Sequence, residues 1–313
     1  MGSGSYSTVS SVDRSTGKTL YGRADARRTT MYASSSLHET FKQRNINNAM
    51  NPYGVGIRES RDSEEHPNSV PIIIGLDVTG SMGFVPHEIV KHGLPNIMGN
   101  IIQKGIPDPQ VLFLGIGDHE CDQSPLQVGQ FESNDELLDK WLTDVWIEGR
   151  GGGNGGESYM LAWYFAAYHT QLDSLDNRQK KGYLFTIGDE PVLRHLPERV
   201  IANIMGPGQY QDFTSAELFE RAREMYHVYH IHVTSTMSGG RSHVVNDWKE
   251  LLQDNLLIAN GAEDIADIIS DKVIEQVSLD VGHFPTGEPT YVAKPDLLKP
   301  AAVPENKPEE VIL

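Results

Sequence analysis

The strongest constraint on the fold is an alternation of apolar, strand-like runs with amphipathic, helix-like segments between residues 70 and 277. The predicted strands cover 70–76, 110–116, 126–131, 183–187, 228–234 and 255–258, and the predicted helices cover 86–104, 134–147, 159–169, 216–226, 242–253 and 263–277. Strands that alternate with helices form a mainly parallel sheet with helices on both faces. We therefore predict an α/β fold with a doubly wound, mainly parallel sheet.

The third predicted strand, 126–131, differs from the others because it alternates apolar and polar residues. It follows the second strand after a short loop, so it has no room for a crossover helix. This pattern predicts an antiparallel strand at the edge of the sheet.

Two flanking segments lack the alternation. Residues 1–68 are rich in Ser, Thr, Arg and Asn, and such a composition cannot bury enough apolar surface to fold alone. We predict that 1–68 is an extended N-terminal arm, flexible or ordered by a partner, with one short helix near 37–50. Residues 283–313 are rich in proline and predict an extended C-terminal tail. The folded domain is then expected to cover 69–282.

Composition and charge exclude some classes of function. The formal charge of −17 disfavours nucleic acid or an anionic membrane as the main partner. The single cysteine, Cys121, excludes an intrachain disulfide and a cysteine-based metal site. The N-terminus has no apolar core typical of a secretory signal, and no run is long enough to span a bilayer. We predict a cytoplasmic protein with neither nucleic acid nor membrane as a partner.

Polar residues follow several predicted strands directly. Asp77, Thr79 and Ser81 come after the first strand, and Asp189 comes after the fourth. A glycine-rich loop, 151–156, precedes a helix that begins on the same side of the sheet. Because ligands of open parallel sheets bind outside the carboxyl ends of the strands, we expect these segments to converge there.

The residue types in these segments indicate what the site binds. Carboxylate and hydroxyl oxygens are the ligands of Mg²⁺, Mn²⁺ or Ca²⁺, and they disfavour zinc and copper. The alternative is that Thr79 and Ser81 only cap the following helix while Asp77 caps the strand. The presence of Asp189 and of the glycine-rich loop favours the metal site.

Three motifs together resemble a known family. LDVTGSMG, residues 76–83, resembles the first motif, D-x-[ST]-x-S, of the metal-ion-dependent adhesion site of von Willebrand factor A domains. GGGNGGES, 151–158, resembles the second, glycine-rich motif, and TIGDEP, 186–191, resembles the third. The resemblance extends over about 70–280, and its Rossmann-like fold agrees with the predicted sheet. It is a resemblance to the cytoplasmic type found in bacteria and phages.

The resemblance implies a set of metal ligands. Asp77, Thr79 and Ser81 would bind the ion from the first loop, and Asp189 would bind it directly or through water. The family usually has a threonine in the glycine-rich loop, whereas this chain has Asn154 and Glu157 there. Either of these two residues is a candidate ligand.

The function that the resemblance implies is a non-enzymatic, divalent-metal-dependent protein–protein interaction module. An Asp or Glu of the partner would complete the coordination of the metal. The partner would be a component of a multiprotein assembly or a separate ring-shaped ATPase, since this chain has no ATPase motif.

Two other functions remain open on the sequence. A phosphatase of the haloacid-dehalogenase type also places an Asp after a buried strand, so Asp77 would be its nucleophile. That chemistry needs a second acid at position 79, where this chain has Thr79. The third alternative is a structural scaffold whose metal site is vestigial.

Other conspicuous residues receive simpler interpretations. His230 and His232 lie on one face of a predicted buried strand, and we interpret them as hydrogen-bonded core histidines rather than a metal pair. Asp118 is a candidate for orienting a water molecule at the site. The aromatic residues of the helix 159–169 are predicted to pack in the core.

Overall fold

The computed structural model describes residues 45–89, 94–106, 108–148 and 154–281. The described strands are β1 (Arg58–Ser60), β2 (Val70–Asp77), β3 (Pro109–Ile116), β4 (Leu126–Val128), β5 (Thr170–Leu172), β6 (Gly182–Gly188), β7 (His195–Leu196), β8 (Phe213–Thr214), β9 (Tyr226–Val233) and β10 (Leu256–Ala259). The described α-helices are Val85–Glu88, Leu94–Gln103, Asp135–Asp144, Met160–Tyr168, Asp173–Arg178, Glu198–Met205, Ser215–Met225, Ser242–Leu252 and Ala262–Val281.

The central sheet has six strands in the order β10-β9-β6-β2-β3-β4. Every neighbouring pair is parallel except β3 and β4, which pair antiparallel with Leu114 opposite Val128. Strand β4 lies at one edge of the sheet. The predicted doubly wound, mainly parallel sheet with an antiparallel edge strand is therefore confirmed.

The central strands are apolar along their whole length because helices cover both faces of the sheet. In β2, Ile72 and Ile74 pack in one core with the helices Leu94–Gln103 and Ala262–Val281. Ile73, which points the other way, packs in a second core with the helix Met160–Tyr168. The two cores correspond to the two faces of the sheet.

The helix Met160–Tyr168 is buried along nearly its whole length, as predicted for this aromatic segment. It lies close to β2 at Gly75, where an added Cβ would be 2.8 Å from Ile116 Cδ1 and 3.4 Å from Ala162 Cβ. A glycine at this position therefore lets the helix approach the sheet. This approach brings the start of the helix next to the carboxyl end of β2.

Part of the predicted N-terminal arm, from residue 45 onward, packs against the body of the protein. Met50 has no exposed surface and belongs to the first core. The Ser60 hydroxyl donates a 2.7 Å hydrogen bond to Gln110 Oε1, and β1 pairs in parallel with β5. Residues 1–44 of the arm, and the tail from 282 onward, lie outside the described residues.

Several local features differ from the sequence-based expectations. The predicted helix 86–104 consists of two helices, Val85–Glu88 and Leu94–Gln103, with 90–93 outside the described range. Only Asn48–Met50 of the predicted helix near 37–50 is described, and it forms a single 3₁₀ turn. The helix Glu198–Met205 was not predicted. None of the helices in the described part of the chain has the length and apolar character needed to cross a membrane.

Candidate metal-binding site

The candidate site lies where β2 and β6 end side by side. These two strands pair in parallel, with Leu76 opposite Ile187, so both chains leave the sheet at the same edge. Asp77 is the last residue of β2, and Asp189 follows the last residue of β6. The predicted convergence of these two segments is thus a consequence of strand order.

The first loop folds back onto Asp77. Asp77 Oδ1 accepts hydrogen bonds from the Thr79 amide at 2.9 Å and from the Thr79 hydroxyl at 2.6 Å. The Thr79 hydroxyl lies 3.2 Å from Ser81 Oγ. Although Thr79 precedes the 3₁₀ turn Gly80–Met82, its side chain makes no capping bond to that turn. The Thr79 hydroxyl therefore organises the carboxylate rather than capping the turn.

Ser81 connects the first segment to the third. Its hydroxyl donates a 2.7 Å hydrogen bond to Asp189 Oδ1, although the two residues are 108 positions apart. Asp189 Oδ2 accepts a 3.2 Å hydrogen bond from the Ser238 amide in the loop after β9. Asp77, Thr79, Ser81 and Asp189 thus form one continuous network of oxygen atoms.

Tyr159 also belongs to this network, because it contacts the second carboxylate oxygen of Asp77. It was not identified from the sequence as a residue of the site. Its hydroxyl donates a 2.6 Å hydrogen bond to Asp77 Oδ2 and accepts a 3.4 Å hydrogen bond from the Glu190 amide. An added Cβ at Gly188 would lie 1.9 Å from the Tyr159 hydroxyl oxygen. Only a glycine at 188 leaves room for this hydroxyl. The one signal in the sequence is that Tyr159 starts the helix directly after the glycine-rich loop.

The two candidates in the glycine-rich loop have different surroundings. Glu157 is 3% exposed, and an interaction with the Thr79 side chain opposes the rise that burial causes in the pKa of its carboxyl group. Asn154 is exposed, and its amide donates a 2.7 Å hydrogen bond to Glu120 Oε2. The side chain that reaches the Asp77 network is therefore that of Glu157.

The site concentrates buried negative charge. Burial raises the pKa of Asp77 to about 7, and the charge of Asp189 adds to this effect, while hydrogen bonds from Thr79 and Tyr159 oppose it. Burial raises the pKa of Glu157 to about 10, with further contributions from the charges of Asp77, Asp122 and Asp118. Both shifts have the same first cause, because burial removes water from these carboxyl groups.

Within the described part of the chain, none of the ion pairs involves Asp77, Asp189 or Glu157. The guanidinium of Arg241 lies 3.9 Å from Glu190 Oε1 at the margin of the site. These carboxyl groups therefore have no cationic partner among the side chains described. A cation bound at the site would favour their ionised form.

The donor set fits a hard divalent cation. Glu157 Oε2 and Asp118 Oδ2 are buried and have no hydrogen-bond partner among the described residues, so both retain free acceptor capacity. All the converging side chains offer oxygen, which suits Mg²⁺, Mn²⁺ or Ca²⁺. Among the same residues, no group of three or more His, Cys, Asp or Glu side chains is already arranged as metal ligands. The hydroxyl groups of Thr79 and Ser81 lie between the carboxylates of Asp77 and Asp189. To bind one ion together, these side chains have to exchange their mutual hydrogen bonds for contacts with the ion.

The loop after β9 supports the third segment. The Ser238 hydroxyl donates a hydrogen bond to Glu190, and Trp248 Nε1 donates a 3.0 Å hydrogen bond to the Glu190 carbonyl. The Trp248 ring stacks on the His230 ring with centroids 3.6 Å apart. The side chain and the backbone carbonyl of Glu190, the residue after Asp189, are therefore both held by hydrogen bonds.

The two histidines of β9 are hydrogen-bonded core residues, as predicted. His230 Nδ1 lies 3.0 Å from Thr186 Oγ1, and His232 Nε2 lies 2.8 Å from the Gly239 carbonyl oxygen. Burial lowers the pKa of both residues. Both side chains are fully buried and neutral in this environment.

The geometry disfavours the phosphatase alternative. Asp77 has no exposed surface, and both of its carboxylate oxygens accept hydrogen bonds. The residue two positions on is Thr79, whose hydroxyl donates to Asp77. The second acid of that chemistry is therefore missing.

Comparison with known proteins gives similarity at the level of structure alone. The sequence matches no protein-family model and no curated protein. The pilus adhesin SpaC from Lactobacillus rhamnosus GG aligns with 71% of this chain at 11% identity and a TM-score of 0.48, and this chain covers 32% of SpaC. The vWF domain of the type V pili tip protein Mfa5 from Porphyromonas gingivalis aligns with 71% of this chain at 10% identity and a TM-score of 0.43, with 98% of that domain covered.

A third similar structure is the conserved hypothetical protein BatB from Bacteroides thetaiotaomicron. It aligns with 67% of this chain at 10% identity and a TM-score of 0.41, and 99% of that structure is covered. This chain spans about a third of the length of SpaC, and nearly the whole length of the Mfa5 domain and of BatB.

Proposed function

We propose that this protein is a non-enzymatic interaction module that binds a protein partner through a divalent cation, Mg²⁺ or else Mn²⁺ or Ca²⁺. The observation that carries the proposal is the 2.7 Å hydrogen bond between Ser81 and Asp189, which joins two distant segments into one buried set of oxygen donors. The proposed ligands are Asp77, Thr79, Ser81 and Asp189, with Glu157 from the glycine-rich loop. When bound, the cation supplies positive charge that attracts an Asp or Glu of the partner.

The residues of the site have separate roles in this proposal. The carboxylates of Asp77 and Asp189 supply charge, while the hydroxyls of Thr79 and Ser81 supply neutral oxygen ligands. Tyr159 holds Asp77 Oδ2 in place, and Ser238 holds Asp189 Oδ2. The proposed partner is a component of a multiprotein assembly or a separate ring-shaped ATPase.

Titration calorimetry with Mg²⁺ and Mn²⁺ tests the metal part of the proposal. We expect saturable binding to the wild type, and at least about tenfold weaker binding to Asp189→Asn, because a carboxylate ligand becomes a neutral amide. Asp254→Asn is the matched control, since Asp254 is exposed and lies outside the site. Absence of saturable binding to the wild type would refute the proposal.

Affinity capture tests the partner part. We expect a partner that binds the wild type in Mg²⁺, leaves in chelator and fails to bind Asp189→Asn. Replacement of each surface Asp and Glu of that partner would then identify the residue that reaches the cation. A partner that binds equally in chelator would indicate the scaffold alternative instead.

A further inference from the structure

The Glu157 backbone makes hydrogen bonds through both its amide and its carbonyl group. These bonds fix the backbone position from which the side chain extends. The Glu157 amide donates a 2.8 Å hydrogen bond to the Pro191 carbonyl, and its own carbonyl accepts one of 3.0 Å from the Leu193 amide. The next amide, that of Ser158, donates to the Gly117 carbonyl at 3.1 Å. Backbone hydrogen bonds thus connect Glu157 and Ser158 to the segments that follow β6 and β3.

The Glu157 side chain is buried together with the proposed ligands. Asp77 and Asp189 have no exposed surface, and Thr79 and Glu157 are each 3% exposed. Ser81 is half-buried. A carboxylate from another protein therefore reaches this cluster only if a buried side chain moves aside.

Charge leads to the same conclusion. Asp77, Asp189 and Glu157 together carry one more negative charge than a divalent cation neutralises. A fourth carboxylate would then approach a site that is already net negative, and its desolvation would not be compensated. If the Glu157 side chain moves away, the carboxylates of Asp77 and Asp189 neutralise the charge of the divalent cation. The coordination position that Glu157 vacates can then accept the carboxylate of another protein. Glu157 Oε2, which is buried and has no partner among the described residues, is the free ligand atom.

We propose that Glu157 is an internal ligand that occupies the coordination position intended for the partner's acidic residue, so that the partner binds only after Glu157 is displaced. This inference rests on the proposed function, because it requires a divalent cation at the site. It adds a self-inhibitory contact that the interaction module would otherwise lack. It also assigns different roles to Glu157 and to Asn154, whose amide donates to Glu120.

Water-proton relaxation with Mn²⁺ tests the inference without any knowledge of the partner. Mn²⁺ accelerates the relaxation of the water molecules that exchange at the ion, so the relaxivity per bound ion reports open coordination positions. We compare wild type, Glu157→Thr, Glu157→Gln and Asn154→Ala, after measuring the fraction of bound Mn²⁺ for each. Trifluoroacetate serves as a carboxylate probe, because Mn²⁺ at an accessible site broadens its fluorine resonance.

The expected result is low relaxivity and a sharp trifluoroacetate resonance for the wild type. Glu157→Thr should gain about one exchangeable water per bound Mn²⁺, because threonine cannot reach as far as glutamate. The fluorine resonance should broaden with this variant. Asn154→Ala should behave like the wild type, since Asn154 is exposed and bonded to Glu120.

Each of the other outcomes has a definite meaning. Equal relaxivity and equal broadening for wild type and Glu157→Thr would overturn the internal ligand and leave the proposed metal-dependent function standing. Failure of the wild type to bind Mn²⁺ would overturn both. Glu157→Gln keeps the shape of the side chain without its charge, so it replaces Glu157→Thr if urea unfolding shows that the latter is unfolded. The neutral amide is a weaker ligand than a carboxylate, so trifluoroacetate should displace it and the fluorine resonance should also broaden with Glu157→Gln.

Discussion

The Tyr159 hydroxyl donates a 2.6 Å hydrogen bond to Oδ2 of Asp77, and this contact lies entirely inside the protein. It joins the residue that ends β2 to the residue that precedes the helix Met160–Tyr168. Thr79 bonds to the other oxygen of the same carboxylate. The orientation of the Asp77 carboxylate is therefore determined by the neighbouring Thr79 and by Tyr159, which is distant in sequence.

Tyr159→Phe should destabilise the protein, because it leaves Asp77 Oδ2 buried without its donor. A buried acceptor that loses its partner costs about 1–3 kcal/mol. Urea unfolding in chelator measures the loss, and Tyr168→Phe on the same helix is the control, because Tyr168 is only half-buried. Equal stability of the two variants would show that the Tyr159–Asp77 bond contributes little.

Gly188→Ala should destabilise the protein for a steric reason. Its Cβ would lie 1.9 Å from the Tyr159 hydroxyl oxygen, so the tyrosine would have to move away from Asp77. Overpacking of this kind costs about 1–3 kcal/mol. Gly240→Ala is the matched control, since nothing lies closer to its added Cβ than the Thr234 carbonyl oxygen at 3.9 Å. Urea midpoints that are the same for both variants would contradict the prediction.

Ser81→Ala should have two separable effects. Asp189 Oδ1 loses a buried hydrogen-bond donor, which reduces the unfolding free energy in chelator by about 1–3 kcal/mol. Loss of a proposed ligand should also weaken Mn²⁺ binding by at least about tenfold. Urea unfolding measures the first effect and calorimetry the second. Ser278→Ala, on the exposed surface of the helix Ala262–Val281, should change neither.

Metal-free protein should lose stability as the pH rises from 7 to 9. The folded pKa of Glu157 is about 10, whereas an unfolded glutamate titrates near 4.5. In this window the folded chain keeps a proton that the unfolded chain has released, so stability falls by at most about 1.4 kcal/mol per pH unit. The buried histidines do not interfere, because their lowered pKa values affect stability only below pH 6.5.

Urea unfolding in chelator at a series of pH values checks this dependence. Glu157→Gln should flatten the slope, because the amide does not titrate. Glu220→Gln, at an exposed position on the helix Ser215–Met225, should leave the slope as in the wild type. A wild-type slope that Glu157→Gln does not change would assign the effect to another group.

Met50→Ala tests whether the described part of the N-terminal arm belongs to the folded body. Met50 has no exposed surface and packs in the first core, so its truncation should cost about 2–5 kcal/mol. Met237→Ala is the control, because that side chain is 79% exposed. A loss below 1 kcal/mol for Met50→Ala would show that residues 45–69 contribute little to the stability of the domain.

The sequence by itself determined the layers of the fold and the first site loop. Apolar runs such as 70–76 and 110–116, separated by helical segments, permit few arrangements besides a parallel sheet between helices. The spacing of Asp77, Thr79 and Ser81 after a strand was visible for the same reason, since it is a local pattern. Short elements such as β1 and β5 were not predicted, because three residues carry too little periodicity and their pairing depends on distant chain segments.

Only the tertiary structure decided which side chains meet. The bond between Ser81 and Asp189 and the bond between Tyr159 and Asp77 follow from the pairing of β2 with β6 and from the close approach of a helix at Gly75. The position of the Glu157 backbone is decided by hydrogen bonds to Pro191 and Leu193. A glycine-rich loop does not reveal in its sequence where its side chains point, because direction depends on contacts with residues far along the chain.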